Sequence, residues 1–224
     1  MAQGLRKDLV TGLIAIVAMT IVLGLAYPLA ITGISQVFFS GSANGSKVSL
    51  HGKVVGSHLI GQEFTEPVIG KNGKPVKNEE GEVETQPDPN YFQPRPSATG
   101  YSGNVTFFGN AGPNSAELRE EIREELKAYV QLNKPYDHSL TRADVPVDAV
   151  TQSASGVDPD ISEANAAIQA HRIAAVRRLP LGEVEELISQ NTDSRSLGVL
   201  GEPGVNVLEV NIALEEVSPL KKNE

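Results

Sequence analysis

Residues 150–162, VTQSASGVDPDIS, bring together small hydroxyl side chains, a glycine and two acids, the materials of a loop that cradles phosphate. The order G-x-x-x-x-G-K-[ST] is missing and the stretch contains no lysine, so it does not follow the P-loop pattern. It reads instead as a turn at Asp158-Pro159 leading into a helix capped by Ser162. Four histidines, His51, His58, His138 and His171, could be combined with serines and acids on paper. They share no ligand spacing, and neither G-x-S-x-G nor H-E-x-x-H occurs, which speaks against hydrolase and zinc chemistry. The chain has no cysteine, which removes thiolate nucleophiles, disulfides and cysteine-ligated metals. The carboxylates Glu117, Glu120, Glu121, Glu124 and Glu125 alternate with Arg119, Arg123 and Lys127 at helical spacing, the pattern of a solvated helix face. Arg95 stands between Pro94 and Pro96, so its guanidinium is carried on a stiff extended segment. An acid of its own domain is the favoured partner, with another protein as the alternative.

The elements that must position these residues begin with a membrane segment. No charged residue occurs from Leu9 to Ser46, and LVTGLIAIVAMTIVLGLAYPL, residues 9–29, has the roughly 20 apolar residues needed to cross about 30 Å of hydrocarbon. A cleaved signal peptide is the rival, but its apolar region is typically about 7–15 residues, and this one continues to Phe39. Arg6 and Lys7 precede the helix and nothing basic follows until Lys47. The positive-inside rule therefore places residues 1–8 in the cytoplasm, a single-pass helix and its exit at 9–35, and a soluble domain at 36–224 outside. Thr20, Gly24 and Pro28 recur every fourth residue and form a candidate face for another helix. With a net charge of −9, the chain offers no broad basic surface for nucleic acid.

The domain reads as mixed. Val48 to Leu50 and Val54 to Ile60 have strand character, and Gly70 to Asn90 forms an exposed insertion, flexible or hairpin-like. Helices are expected at 115–132, with an Asn114–Glu117 capping box, at 162–178 and at 181–190. Alternation of Leu208, Val210, Ile212 and Leu214 predicts a strand over 205–214, and Lys221 and Lys222 end a polar tail. The predicted class is α+β: one N-terminal transmembrane helix, then a single mixed α/β extracytoplasmic domain.

The order Tyr27-Pro28, Thr32-Gly33, Gln36, Ala43-Asn44-Gly45-Ser46, Gly56-Ser57, Leu59-Ile60-Gly61-Gln62, Tyr91-Phe92 and Arg95-Pro96-Ser97-Ala98 resembles the C subunit of the Kdp-type potassium-transporting ATPase. The second half continues the resemblance through Val145-Pro146, Ser155-Gly156, Asp158-Pro159, Ile161-Ser162, Gln169, Arg172, Leu200-Gly201-Glu202-Pro203 and Val205-Asn206-Val207-Leu208. It implies a non-catalytic accessory subunit of an inner-membrane P-type pump. Its partners would be a channel-like A subunit that carries potassium, a B subunit that hydrolyses ATP and a small F subunit. The resemblance further implies a catalytic chaperone that raises the ATP affinity of the B subunit, with Gln169, and Arg172 beside it, in the ATP-related role. ATP would belong to the complex; no cofactor or metal of the chain's own is expected. The predicted topology puts Gln169 outside, so that effect would have to pass through subunit packing. Thr20, Gly24, Pro28, Arg95, Ser155 and Asp158 are the candidate subunit contacts. Gly70 to Pro89 departs from the family pattern as an insertion, Gln169-Ala-His-Arg172 stands for Gln-Val-Pro-Arg, and Phe107 to Pro113 replaces a glycine- and serine-rich run. The competing reading is a membrane-tethered extracytoplasmic enzyme or solute-binding module.

Overall fold

The computed structural model describes residues 2–78, 80–105 and 109–220; the Lys221-Lys222 tail and Phe107-Phe108 lie outside the described residues. The chain divides into two units, Met1–Lys47 and Val48–Glu224.

The first unit is helical: α1 (Ala2–Met19), a π-helical segment (Thr20–Ala26), α2 (Tyr27–Phe38) and a short α3 (Ser40–Ala43). Together Gly4–Phe38 make 35 residues whose most apolar 18-residue stretch has a mean hydropathy of 2.6, long and apolar enough to cross a membrane. Helix continues three residues beyond the predicted exit at 35, because Ile34, Val37 and Phe38 extend the apolar run without a breaker. The π-helical turn is a feature the sequence reading did not include, and Pro28 accounts for it. Its ring would collide with the carbonyl four residues back, and it carries no N–H for an α-helical bond. The helix widens ahead of it, and the Tyr27 N–H reaches back five residues to the Val22 carbonyl. Across the end of α2, Gln36 and Asn44 exchange reciprocal side-chain amide bonds of 3.3 and 3.1 Å, and Asn44 also donates to the Ser40 carbonyl.

In the second unit β1 (Lys47–Leu50) pairs with β2 (Lys53–Ser57), and β3 (Thr65–Pro67) pairs antiparallel with β4 (Thr85–Pro87). Between β3 and β4 the predicted insertion is hairpin-like, with further antiparallel bridges Ile69–Pro75 and Lys77–Val83. Its last residues, Asp88 to Asn90, are half-buried rather than exposed. Three helices follow, α4 (Ala116–Asn133), α5 (Glu163–Arg177) and α6 (Leu181–Gln190), close to their predicted ranges. Ser115, not Asn114, caps α4: its side chain accepts from the Leu118 N–H, so the cap lies one residue later than expected. Leu118, Ile122, Leu126, Tyr129 and Val130, apolar or aromatic at helical spacing along α4, are only half-buried, whereas Asn133 is buried.

The larger correction concerns 205–214. A three-stranded antiparallel sheet in the order β5 (Asp160–Ile161), β7 (Gly204–Asn206), β6 (Thr192–Asp193) ends at Asn206, and α7 (Val207–Val217) takes over. Asn206 caps α7 by accepting from the Glu209 N–H. Of the residues it buries, Val207, Val210, Asn211 and Leu214 follow the i, i+3, i+4, i+7 spacing of a helix, with Leu208 buried beside them. Val207, Val210 and Leu214 join Phe92, Ile161, Ile173, Val184, Leu187, Ile188 and Val205 in one core. Ala166, Ala170 and Ala174 on α5 let α6 and the sheet approach it closely.

Candidate functional site

The site is organised around residues 88–97, an extended strap with no strand of its own to pair with. Side chains supply what a neighbouring strand would have supplied. Gln169 on α5 accepts from the Gln93 N–H at 2.7 Å and donates to the Gln93 carbonyl at 3.0 Å. Asn211 on α7 repeats the arrangement one residue earlier, accepting from Phe92 N–H at 2.8 Å and donating to the Phe92 carbonyl at 3.0 Å. Arg172 donates to the carbonyls of Pro89 and Tyr91, and Arg177 to that of Asn90. Each carbonyl from Pro89 to Gln93 therefore accepts a bond from a side chain on α5 or α7, which satisfies backbone groups that folding removes from water.

Gln169 is 1% exposed and all its bonding positions are filled. Its oxygen accepts from Gln93 and from Arg172 at 2.9 Å, and its nitrogen donates to Gln93 and to Asn165 at 2.9 Å. Arg172 is fully buried and held by neutral oxygens, those of Pro89, Tyr91, Asn133 and Gln169. Burial without a carboxylate partner pushes its pKa down to about 10, which leaves it charged at neutral pH. The network continues from Asn165 to Tyr129 at 2.8 Å and to Asp148, whose carboxylate also accepts from the Ser162 N–H and hydroxyl. Burial raises the Tyr129 hydroxyl well above its ordinary pKa, so it acts as a neutral donor. At the other end Arg177 pairs with Glu215 at 2.7 Å, packs over the Tyr91 ring at 4.8 Å and donates to the Ser218 carbonyl.

Arg95 finds the internal acid that the sequence favoured. It meets Asp158 at 3.0 Å, and Ser155 donates to the same carboxylate at 2.7 Å. Ser153 Oγ accepts from the N–H of Gly156, and Ser153 N–H donates to the Pro96 carbonyl. VTQSASGVDPDIS is thus a turn that anchors the far end of the strap. Thr20 and Gly24 share one face of the separate helical unit: a Cβ added at Gly24 would lie 3.7 Å from Thr20 Cγ2. Pro28 lies one residue into α2.

His58 is a contact that the sequence reading missed. Nδ1 lies 2.8 Å from Glu209, Nε2 is 3.7 Å from Asp193, and Asn206 donates to its carbonyl. The hydrogen bond to Glu209, helped by the charges of Glu209, Asp193 and Asp160, raises its pKa above 6.5 against the opposing effect of burial. An acid 151 positions away is invisible to local spacing. Glu125 is held up by burial and by Glu121 and Glu124 on the same α4 face. Among the described residues no group of three or more histidines and acids is placed to hold a metal ion. The arrangement holds residues 89–93 rigidly against α5 and α7.

The family described as K+-transporting ATPase, c chain (KdpC), matches residues 9–216, a span that includes both the helix and the strap with its clamps. This chain belongs to the KdpC family. Among its curated relatives, the potassium-transporting ATPase KdpC subunit of Streptomyces avermitilis is 42% identical over 214 residues, 92% of each chain. That of Mycobacterium tuberculosis is 39% identical over 215 residues, 95% of this chain and 100% of its own. The Koribacter versatilis protein of the same name is 35% identical over 218 residues, 96% of this chain and 98% of its own. The resemblance read from the KdpC motifs in the sequence is borne out.

Proposed function

We propose that this KdpC chain is a non-catalytic accessory subunit of an ATP-driven potassium uptake pump in the cell's inner membrane. It is held there by the single-pass helix and its exit at 9–35, with residues 1–8, Arg6 and Lys7 among them, on the cytoplasmic side and residues 36–224 outside. The observation that carries this reading is the family match over residues 9–216, which takes in the apolar helix. The partners are the potassium-carrying A subunit, the ATP-hydrolysing B subunit and the small F subunit. In this reading the chain stabilises their assembly and raises the ATP affinity of the B subunit.

The ATP-related role of Gln169 and Arg172 is then indirect. Every bonding position of Gln169 serves the strap or its neighbours, so binding another molecule there would first require Gln93, Asn165 or Arg172 to be released. The pair fixes the strap at Pro89, Tyr91 and Gln93, just ahead of the surface where Arg95, Ser155 and Asp158 meet, and that surface is offered to the partner subunits. The tethered-enzyme alternative draws no support from His58, whose ring contacts, Glu209 and Asp193, include no serine, threonine or lysine for it to activate.

The test is potassium-stimulated ATP hydrolysis by the purified complex with and without this chain. The proposal predicts a weaker apparent ATP affinity and loss of assembled complex without it. Unchanged ATP dependence and unchanged assembly would overturn it.

A further inference from the structure

The membrane helix contains a polar group that its own backbone does not satisfy. Tyr27 N–H would be the α-helical donor to the Leu23 carbonyl, but it is bonded to Val22 instead. Pro28 would be the π-helical donor, and it has no N–H. The Leu23 carbonyl is left without a backbone donor from either position. It lies 14 residues after Leu9, about 21 Å along the helix, which is inside a hydrocarbon layer roughly 30 Å thick if the layer begins at Leu9. An unsatisfied carbonyl at that depth costs several kcal/mol in lipid, and helices that contain proline recover it from a neighbouring helix or a polar side chain.

The next residue is Gly24, where a side chain is missing and only Thr20 Cγ2 comes near, so a second helix can approach the carbonyl closely. Ile21, Val22, Leu23 and Leu25 around it are all exposed and apolar. A carbonyl is an acceptor only, so its complement must donate.

We propose that the Thr20–Gly24 face of the π-helical segment is a docking notch for a transmembrane helix of another subunit, one carrying a hydroxyl or amide side chain that donates to the Leu23 carbonyl. This rests on the accessory-subunit reading and adds the chemistry of the contact. The notch makes Gly24 the critical residue, because any larger side chain there holds the partner away from the acceptor. Pro28 is the residue that creates the acceptor.

The experiment uses the full complex in native membranes. A photoreactive phenylalanine derivative is placed at Thr20 or at Val22, about half a turn away, and each is irradiated. Separately, Gly24→Leu and Val22→Leu chains are used to recover the partner subunits in mild detergent. The proposal predicts cross-links to another subunit from Thr20 and not from Val22. It also predicts roughly 3- to 30-fold weaker association for Gly24→Leu, the equivalent of one interhelical hydrogen bond, with Val22→Leu unchanged. Cross-links from Val22 alone, or only to a second copy of this chain, would overturn the notch while leaving the accessory-subunit reading intact. Equal recovery for Gly24→Leu and wild type would do the same. Cross-links from neither position and no co-recovered subunits would overturn both.

Discussion

Asn211 offers the sharpest test of how the strap is held. Asn211→Leu keeps a side chain of comparable length on α7 but removes both bonds to Phe92, whose N–H and carbonyl are otherwise served at 2.8 and 3.0 Å. Phe92 is 0% and Asn211 1% exposed, so water cannot replace what is lost. Each buried group left unsatisfied costs about 1–3 kcal/mol, giving roughly 4 kcal/mol for the pair. For a domain of this size 1 kcal/mol moves Tm by about 2–4 °C, so the expected fall is roughly 8–16 °C. Thermal unfolding of the detergent-solubilised chain, followed by circular dichroism, reads it directly. A fall of less than about 2 °C would show that the strap does not depend on side-chain amides, and the argument for Gln169 would fail with it.

Gln169→Leu breaks the equivalent pair at Gln93, and if its influence on nucleotide is indirect, it and Asn211→Leu should raise the KM for ATP of the assembled pump to similar extents. A change confined to Gln169→Leu would point to direct contact. The raised pKa of His58 means that its tie to Glu209 and Asp193 is fully present below about pH 6.5 and lost as pH rises through the higher folded value. The stability advantage of wild type over His58→Gln should therefore shrink as pH rises above about 6.5; a constant difference in Tm would contradict this. Gly61→Ala should cost about 1–3 kcal/mol, because its Cβ would fall 2.4 Å from the Asp158 carbonyl oxygen and 2.6 Å from the Tyr101 ring. An unchanged denaturation midpoint would show that the loop simply moves aside.

What was readable in the sequence was what local spacing encodes. The apolar run, the cap at Ser162 and the periodicity of α5 and α6 all have signals within a few residues of themselves. The segment 205–214 failed because Leu208, Val210, Ile212 and Leu214 alternate as a strand would, while Val207, Val210, Asn211 and Leu214 share a helical face; the two patterns coexist in one string. The tie-breaker was present in Asn206 and Glu209, an N-cap followed three residues later by an acid. Arg95 was legible because two prolines frame it. The clamps were not, since Gln169 and Gln93 stand 76 positions apart and Asn211 and Phe92 stand 119 apart, and nothing local marks an amide that will substitute for a strand. The π-helical turn was legible only in its cause, Pro28, not in its form.

The proposed topology anchors the chain by one helix and puts the clamped domain outside the cell membrane. Ala154 is exposed in the loop beside Arg95, unlike its buried neighbour Ser153, and the chain has no cysteine of its own. Labelling an Ala154→Cys chain in intact cells with a membrane-impermeant maleimide, with Gly4→Cys as the inside reference, measures the placement directly. Labelling of Ala154→Cys but not of Gly4→Cys is the predicted result. Labelling of Ala154→Cys only after lysis would put the domain with the ATP and contradict the account.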